Sequence, residues 1–429
     1  MFEHKWLIIL LLAFGTVFSL ISIFNHLNFR TGSGMMGTYL HAMHDYLNFS
    51  LPEMDKLGGG SYLLLAKEFD LYLILLSPLS YLMGSYTLLI IQLLAILFGA
   101  AGVYRYLRLV SAYPWTPLLG SLHFLLFFGI YAALYNEYNS MVVAIMFIPW
   151  FFHSFKMENY NLSFLFLVLM ILARETMGLI LAFIFLGMIF DYFRDKKATA
   201  RLVVFALISY LYFLLVSGLI MPSLEQLPGQ APFEYSFLGE NMMDAFRFIL
   251  YHPIASINFL MVNHTGNPAF DDIKKEFIIF FLLSGGILLI MRFRYLVMMI
   301  AMIFIMLLHD SPENWSVFSF FAALFAPILS IGLFDFFDRV GNPRHRIFLI
   351  IVTLLFTAGV SARMIIKTRY PGERKKIAFY TQEHYNRSIL PDSVCDYMEK
   401  IPPEAVASSQ SDFIFRSSLH KKSNQDKNR

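Results

Sequence analysis

The sequence has 429 residues, of which 58% are hydrophobic and only 15% are charged, and its formal net charge is +3. Soluble domains contain roughly 45–50% apolar and about 25% charged residues, so this composition excludes an ordinary soluble globular protein. The small positive charge gives no indication of nucleic acid binding, and the single cysteine, Cys395, excludes an internal disulfide and a CxxC metal site. The chain is therefore predicted to be an all-α polytopic membrane protein.

Apolar segments of about twenty residues recur along the chain, a length that suits a hydrocarbon core of roughly 30 Å. The first follows Lys5 as a signal sequence would, but it is longer than the apolar core of a signal peptide and no A-x-A site follows it. We interpret it as a retained span with a cytoplasmic amino terminus. Outside one ambiguous stretch, the sequence predicts about eleven transmembrane spans, at 6–24, 86–108, 116–134, 140–156, 160–173, 176–191, 202–221, 276–291, 295–309, 317–337 and 347–366.

The ambiguous stretch, 66–84 (AKEFDLYLILLSPLSYLMG), determines the topology. Its apolar centre, 71–83, would be roughly 20 Å long as a helix, which is too short to cross, and Pro78 disfavours a regular helix. Short cytoplasmic loops collect Lys and Arg, and this bias is satisfied if the stretch stays on the outer face. Thirteen basic residues then lie inside, namely Lys5, Arg105, Arg108, Lys156, Arg194, Lys196, Lys197, Arg201, Arg292, Arg294, Arg339, Arg344 and Arg346.

This topology divides the chain into a transmembrane domain, 1–366, and a short polar tail, 367–429. An odd number of spans leaves the tail outside, although its basic start, which includes Lys367 and Arg369, would prefer the cytoplasm by the charge rule alone. We give precedence to the larger set of basic residues and expect an outer carboxyl terminus.

The first outer loop, 25–85, contains an amphipathic segment, GMMGTYLHAMHDYLN. Apolar and polar residues alternate at helical spacing, which predicts an interfacial helix along the membrane. Its apolar side carries Met36, Leu40, Met43 and Leu47, and its polar side carries Thr38, His41, His44 and Asp45. The two histidines are spaced so that they could share a metal ion, but no third ligand is fixed by the sequence. We predict no metal site here.

Polar side chains from distant parts of the chain reach the same outer face. A second outer loop, 222–275, adds two amphipathic stretches, near 240–251 and 254–262. Arg174 and Glu175 stand between two short apolar segments, 160–173 and 176–191. A charged side chain inside the bilayer costs ~2.5–3.5 kcal/mol, so this pair is either an internal ion pair or functional. The outer-face candidates are Glu68, Asp70, Glu137, Arg174, Glu175, His309 and Asp310.

Four blocks of the sequence, 68–108, 136–152, 172–188 and 400–416, resemble a family of uncharacterised bacterial polytopic membrane proteins that is distantly similar to GT-C-type glycosyltransferases. In that family a His usually stands near Glu68, and Lys-Glu usually replaces Arg174-Glu175. Two motifs of the family differ here: an Asp early in the first outer loop is absent, and a His-Pro-Glu motif reads Asn-Ser-Met at 139–141. The resemblance implies a GT-C-like fold in the bacterial cytoplasmic (inner) membrane.

The resemblance also implies a reaction, the transfer of a sugar from a polyprenyl-phosphate donor to an unknown acceptor on the outer (periplasmic) face. In such a reaction a carboxylate acts as general base and a cation, Arg, Lys or a divalent metal, stabilises the departing phosphate. The implied base is Asp70 or Glu68, with Glu137 in reserve. Arg174 is expected to hold the lipid phosphate and Glu175 to orient it, with help from the basic residues Lys367 and Arg369.

Two other classes of function fit the same sequence. A transporter or lipid flippase usually has polar or broken helices at the midplane and paired repeats, whereas most span centres here are apolar. The third hypothesis is a non-catalytic descendant of the GT-C fold, which the two altered motifs leave open. The sequence favours the glycosyltransferase over both.

Overall fold

The computed structural model describes residues 2–28, 30–31, 33–55, 61–225, 233–240, 242–367 and 377–386. This part of the chain is almost entirely helical, which confirms the predicted all-α class. Its one sheet is a two-stranded antiparallel hairpin, Glu53–Asp55 with Ser61–Leu63, in which Met54 lies opposite Tyr62.

The helices follow one another closely along the chain. In the first half the α-helices are Phe2–Ile21, Ile23–Leu27, Ser33–Leu47, Leu64–Lys67, Tyr72–Leu76, Ser80–Met83, Thr87–Val110, Thr116–Leu126, Phe128–Tyr135, Ser140–Ile145, Ile148–Lys156, Tyr160–Ile171, Glu175–Tyr192 and Lys196–Leu215. In the second half they are Met221–Leu224, Met242–Tyr251, Pro253–Met261, Ile273–Leu283, Phe293–Leu307, Pro312–Trp315, Ala326–Asp338, Pro343–Ile366 and Gln382–Tyr385. The 3₁₀-helices are Ser77–Leu79, Gly84–Tyr86, Ser236–Leu238, Pro268–Phe270, Gly286–Arg292 and Phe320–Phe325, and Val216–Ile220 is a π-helix.

Seven helical segments in the described residues are long and apolar enough to cross a membrane. An eighth crossing is reached if Thr116–Leu126 and Phe128–Tyr135, which meet at an angle of 43°, form one bent span. Multi-pass helical character is thus confirmed, and the predicted total of eleven stays a prediction. The seven segments are Lys5–Leu27, Tyr72–Val110, Glu175–Tyr192, Lys196–Leu224, Gly286–Leu307, Pro312–Asp338 and Pro343–Ile366.

The remaining three predicted spans are short or broken helices. Ser140–Lys156 and Tyr160–Ile171 are apolar but shorter than eighteen residues. The region predicted as a span at 276–291 is not one helix, because the α-helix Ile273–Leu283 ends before Gly285, which has a left-handed φ of 103°. A side chain at Gly285 would also approach Leu333 to 2.6 Å, so the break is built into the packing.

The stretch 66–84 is a series of short helical pieces rather than the start of the next helix. Gly84 adopts a φ of 55°, and the 24-residue helix Thr87–Val110 begins after it. That helix alone extends about 36 Å, which is enough to cross. The short helical pieces are hydrogen-bonded to another part of the chain. The Leu71 amide donates to the Leu172 carbonyl at 3.1 Å, in the turn before Glu175–Tyr192.

The predicted amphipathic helix of the first outer loop is confirmed as Ser33–Leu47. Its apolar face is directed differently from the prediction, however. Met36, Leu40 and Met43 are buried in the main hydrophobic core, where the helix packs against Tyr72–Leu76. This face therefore contacts protein and not lipid.

Two sets of polar contacts join segments that are distant in the sequence. Asp335 accepts hydrogen bonds from Arg292 and Arg294, and Arg294 also pairs with Asp191. Part of the tail lies beside the predicted first outer loop. There the Arg30 guanidinium donates to the His384 carbonyl at 2.5 Å.

Candidate functional site

Residues more than a hundred positions apart in sequence form a buried charged cluster. The Arg174 guanidinium lies 3.5 Å from the Glu68 carboxylate and 3.6 Å from the Glu175 carboxylate. Glu175 Oε2 also accepts the Phe69 amide at 3.2 Å. We call Glu68, Asp70, Arg174 and Glu175 the charged cluster. The sequence proposed all four as site residues, and the structure brings them together.

Two irregular backbone segments present these side chains. Glu68 and Asp70 follow the short helix Leu64–Lys67, whose C-cap residue Glu68 is extended. Arg174 is also extended, with φ −166° and ψ 153°, and it separates Tyr160–Ile171 from Glu175–Tyr192. Glu175 therefore occupies the first turn of a helix, where the helix dipole favours a carboxylate.

Asp70 is the most enclosed carboxylate of the cluster, with 2% of its surface exposed. Its Oδ1 accepts the Tyr72 amide at 2.9 Å, and the Ser140 hydroxyl is its side-chain hydrogen-bond partner. Burial raises the pKa of Asp70 to about 7, and the nearby charge of Glu68 acts in the same direction, against the two hydrogen bonds. A carboxyl group with this pKa can exchange a proton near neutral pH.

Buried tyrosines surround the carboxylates, and the sequence interpretation missed them. The Tyr39 hydroxyl donates to Glu68 Oε2 at 2.7 Å, and the Tyr39 ring meets that of Tyr138 edge to face at 5.8 Å. Nothing in the sequence around Tyr39 or Tyr138 distinguishes these two tyrosines from the others. Tyr39 lies on the amphipathic helix Ser33–Leu47, and only the tertiary structure places its side chain beside Glu68. Ser140 was likewise seen as a departure from a family motif and not as a partner of Asp70.

A second polar pair adjoins the charged cluster. The His309 ring lies 3.1 Å from the Glu234 carboxylate, and the Asp310 carboxylate accepts the Ser236 amide at 2.8 Å. Burial acts to raise the pKa of Glu234, but the bond to His309 and the charge of Arg174 outweigh it and lower the pKa to about 2. The predicted residues His309 and Asp310 thus reach the site through Glu234, which the sequence did not single out.

An apolar cavity of about 610 Å³ lies beside the cluster. Thr176, which follows Glu175, and Tyr235, which follows Glu234, are among the residues that line it. The rest of the wall is almost wholly apolar and includes Phe213, Gly218 and Leu308. Part of it comes from the π-helix Val216–Ile220, a deviation often found at functional sites. The cavity can accommodate an apolar chain, and its wall residue Tyr235 lies within the electrostatic reach of Arg174 and Glu175.

The remaining candidates stand on other segments of the chain. Glu137 is half-buried with a φ of 73°, and its backbone carbonyl accepts a hydrogen bond from the Gln92 side chain. His41 and Asp45 form a pair on one helix at 3.5 Å. Lys367 is exposed, and its carbonyl accepts from Arg363. Arg369 lies outside the described residues.

No group of three or more His, Cys, Asp and Glu side chains within the described ranges is arranged to hold a metal ion. This applies to the histidines of the first outer loop as well as to the charged cluster. Arg174 supplies a guanidinium to the site, and the Lys67 ammonium is close enough to act on Glu234.

These features define a multi-pass helical membrane protein with a buried charged site beside an apolar cavity. The chain belongs to the family described as predicted membrane protein (DUF2079), whose family model matches residues 35–406. The match spans the charged cluster, the cavity and the Glu234–His309 pair, and it confirms the predicted membership of an uncharacterised family of membrane proteins. No curated protein and no solved structure matches the chain.

Proposed function

We propose that this protein is a GT-C-like glycosyltransferase that moves a sugar from a polyprenyl-phosphate donor to an acceptor at the outer face of the membrane. The observation that carries the proposal is the position of the apolar cavity, whose wall includes Tyr235, a residue that lies within the electrostatic reach of Glu234, Arg174 and Glu175. A lipid-linked sugar has the matching distribution of a long apolar chain and a charged head.

Asp70 is proposed as the general base. It would take a proton from the acceptor hydroxyl or amine, whose oxygen or nitrogen attacks the anomeric carbon of the donor sugar. The bond from that carbon to the phosphate oxygen breaks, and polyprenyl phosphate leaves with the electron pair. Proton transfer is most efficient when the pKa of the base lies near the working pH, and the pKa of Asp70, about 7, meets this requirement.

Arg174 is proposed to hold the lipid phosphate. Its contacts to Glu68 and Glu175, at 3.5 and 3.6 Å, are longer than the 2.7–2.9 Å typical of charge-assisted hydrogen bonds. The guanidinium can therefore turn its N–H groups toward an incoming phosphate without losing a strong bond, while Glu175 keeps it in place. Lys367 and Arg369 are proposed to attract the anionic lipid from the tail.

The cavity is proposed to hold the first part of the polyprenyl chain. Its volume of about 610 Å³ lies within the range of roughly 300–1,000 Å³ that small-molecule pockets occupy. Its apolar wall has little to offer a sugar, so the sugar is expected at the charged cluster, where Asp70 and Glu68 lie.

The decisive experiment uses the purified protein in nanodiscs with radiolabelled lipid-linked sugars and a mixture of membrane acceptors. The double variant Asp70→Asn and Glu68→Gln is expected to lose transfer, whereas Glu53→Gln, which alters an exposed carboxylate on the hairpin, is expected to retain it. Transfer that survives in the double variant would remove the proposal. Counterflow of a solute in liposomes, with no consumption of any lipid-linked sugar, would support a transporter instead.

A further inference from the structure

The pair formed by Glu234 and His309 has a defined direction. The Ser311 amide donates to His309 Nδ1 at 2.9 Å, so this nitrogen is an acceptor and the ring proton lies on Nε2. Nε2 lies 3.1 Å from Glu234 Oε2 and therefore donates to the carboxylate. The imidazole N–H thus holds the Glu234 carboxylate in one orientation.

This bond is not needed to fasten the segment that carries Glu234. The Asp310 amide donates to the Glu234 carbonyl at 2.7 Å, and the Asp310 carboxylate accepts the Ser236 amide at 2.8 Å. The Tyr235 hydroxyl adds a third contact by donating to the Ile305 carbonyl at 3.2 Å. Since these bonds already fix the backbone, the additional bond from the histidine sets the direction of the carboxylate.

Glu234 is more exposed than any carboxylate of the charged cluster. Its side chain is 39% exposed, against 6% for Glu68 and 9% for Glu175, and Asp70 is 2% exposed overall. An ionised carboxylate can accept about four hydrogen bonds, and His309 supplies one of them. The exposed lone pairs of Glu234 are therefore within reach of hydrogen-bond donors from a ligand.

The pair lies against the wall of the apolar cavity. Tyr235 lines the cavity, and its ring meets that of His309 edge to face, with 5.5 Å between the ring centroids. The helix Leu64–Lys67, which leads into the charged cluster, packs against Met221–Leu224, and Pro222 belongs to the same cavity wall. The wall therefore connects the polar pair with the segment that carries two of the cluster carboxylates.

The ligand group that suits this carboxylate is a neutral hydroxyl. Burial acts to raise the pKa of Glu234, but the His309 bond and the charges of Arg174 and Lys67 lower it to about 2, so the group stays ionised without a further cation. An ionised carboxylate is a strong acceptor for O–H groups. In a polyprenyl-phosphate sugar only the sugar offers hydrogen-bond donors, because the prenyl chain has none and the phosphate is an ionised acceptor.

We propose that Glu234 binds the donor sugar through its hydroxyl groups, and that His309 is a positioning residue for this carboxylate. The inference rests on the proposed function, because it takes the donor chain to lie in the cavity and the donor phosphate to lie at Arg174. It adds a specificity-determining residue to the site, since a donor is selected by whether its sugar hydroxyls reach Glu234.

The test compares the binding of a donor analogue with and without its sugar, in the absence of any acceptor. Citronellyl phosphate and its glucosyl, galactosyl, mannosyl and N-acetylglucosaminyl esters are titrated into the protein in nanodiscs, and each dissociation constant is measured by microscale thermophoresis. At least one ester is expected to bind about tenfold more tightly than citronellyl phosphate, because hydrogen bonds to a charged group are strong. Glu234→Gln is expected to abolish this gain in affinity and to leave the binding of citronellyl phosphate unchanged.

Two further variants separate sugar binding from folding. Glu240→Gln, which alters an exposed carboxylate of the same segment, is expected to keep the full gain in affinity. His309→Asn keeps an acceptor for the Ser311 amide and removes the donor to Glu234, so it is expected to lose most of the gain and to bind citronellyl phosphate normally. The backbone bonds of the segment do not involve the Glu234 side chain, so Glu234→Gln is expected to melt at the temperature of the wild type.

Equal affinity for citronellyl phosphate and all its esters, no binding of any of them, or a gain that survives in Glu234→Gln would overturn the inference. These outcomes are independent of sugar transfer. If lipid-linked sugars are consumed and Glu234→Gln keeps the gain, the proposed function stands and the sugar contact fails. If Glu234→Gln abolishes the gain and no lipid-linked sugar is consumed, the sugar contact stands and the transferase fails.

Discussion

Replacing Asp70 with asparagine separates the stability of the fold from the chemistry of the site. Asparagine keeps a side-chain oxygen for the Tyr72 amide and the Ser140 hydroxyl, and it removes the ionisable group. The pKa of Asp70 is about 7 in the folded protein, against 3.8 for an ordinary aspartate. Between these two values the folded state holds a proton that the unfolded state releases, so stability falls as the pH rises.

The size of this effect follows from the difference between the two pKa values. Each pKa unit corresponds to 1.36 kcal/mol, so the wild-type protein loses about 4 kcal/mol of stability between pH 4 and pH 7 through Asp70 alone. The variant loses none of this contribution. Its advantage over the wild type is therefore small near pH 4 and reaches its full value above pH 7.

The assay is thermal unfolding in nanodiscs at a series of pH values from 5 to 8. The melting temperature of Asp70→Asn is expected to rise relative to the wild type as the pH increases, whereas Glu53→Gln is expected to follow the wild type throughout. Melting curves of the wild type and Asp70→Asn that stay parallel across this range would refute the argument that burial holds the proton on Asp70.

The same variant carries a second expectation about activity. If Asp70 is the general base, Asp70→Asn becomes more stable at pH 8 and loses transfer at the same time. Active sites commonly keep such unfavourable groups because function requires them. A variant that gained stability and kept its activity would leave Asp70 as a buried structural acid only.

Four further outcomes are expected. Gly218→Leu, which extends a side chain into open space at the cavity wall, should reduce transfer without unfolding the protein. The control Gly359→Leu, at an exposed helix position, should keep the transfer activity of the wild type. Equal activity of the two variants would exclude the cavity from function. Arg174→Gln leaves two buried carboxylates without their cation and should cost about 3–5 kcal/mol of stability, measured by thermal unfolding; an unchanged melting temperature would contradict this pairing. Gly129→Ala would overlap the backbone of Ala322 and should cost about 1–3 kcal/mol, so a melting temperature equal to that of the wild type would argue against this close packing. Cys395 should react with a membrane-impermeant maleimide in intact spheroplasts, and labelling only after permeabilisation would place the tail inside.

Hydrophobicity and charge were sufficient to predict the class of the protein. A membrane span must bury its own backbone hydrogen bonds and expose apolar side chains to lipid, so helix type and approximate position can be read from composition along the chain. Thr87–Val110, Glu175–Tyr192 and Pro343–Ile366 illustrate this, since each overlaps a predicted span almost completely. Helix breaks were less predictable, because the turn at Gly285 depends on how closely Leu333 approaches it.

The candidate site was predictable in part for the same reason. Glu68, Asp70, Arg174 and Glu175 were conspicuous because charged residues are rare beside apolar segments, where they are expensive. The tyrosines were not conspicuous, since Tyr39 and Tyr138 are two among 23 tyrosines of the chain. A tyrosine becomes part of a site only through its neighbours, and those neighbours come from distant parts of the sequence.

The sequence by itself determined that the chain forms apolar helices and that its unusual charges stand at their ends. Only the tertiary structure decided that the ends at Glu68, Arg174 and Glu234 meet, and that the amphipathic helix Ser33–Leu47 turns its apolar face toward protein. The physical reason is that helix formation is local, whereas the distance between two loops depends on how all the intervening helices pack. The pKa of Asp70 was likewise decided by the tertiary structure, because it depends on burial that no single segment of the sequence provides.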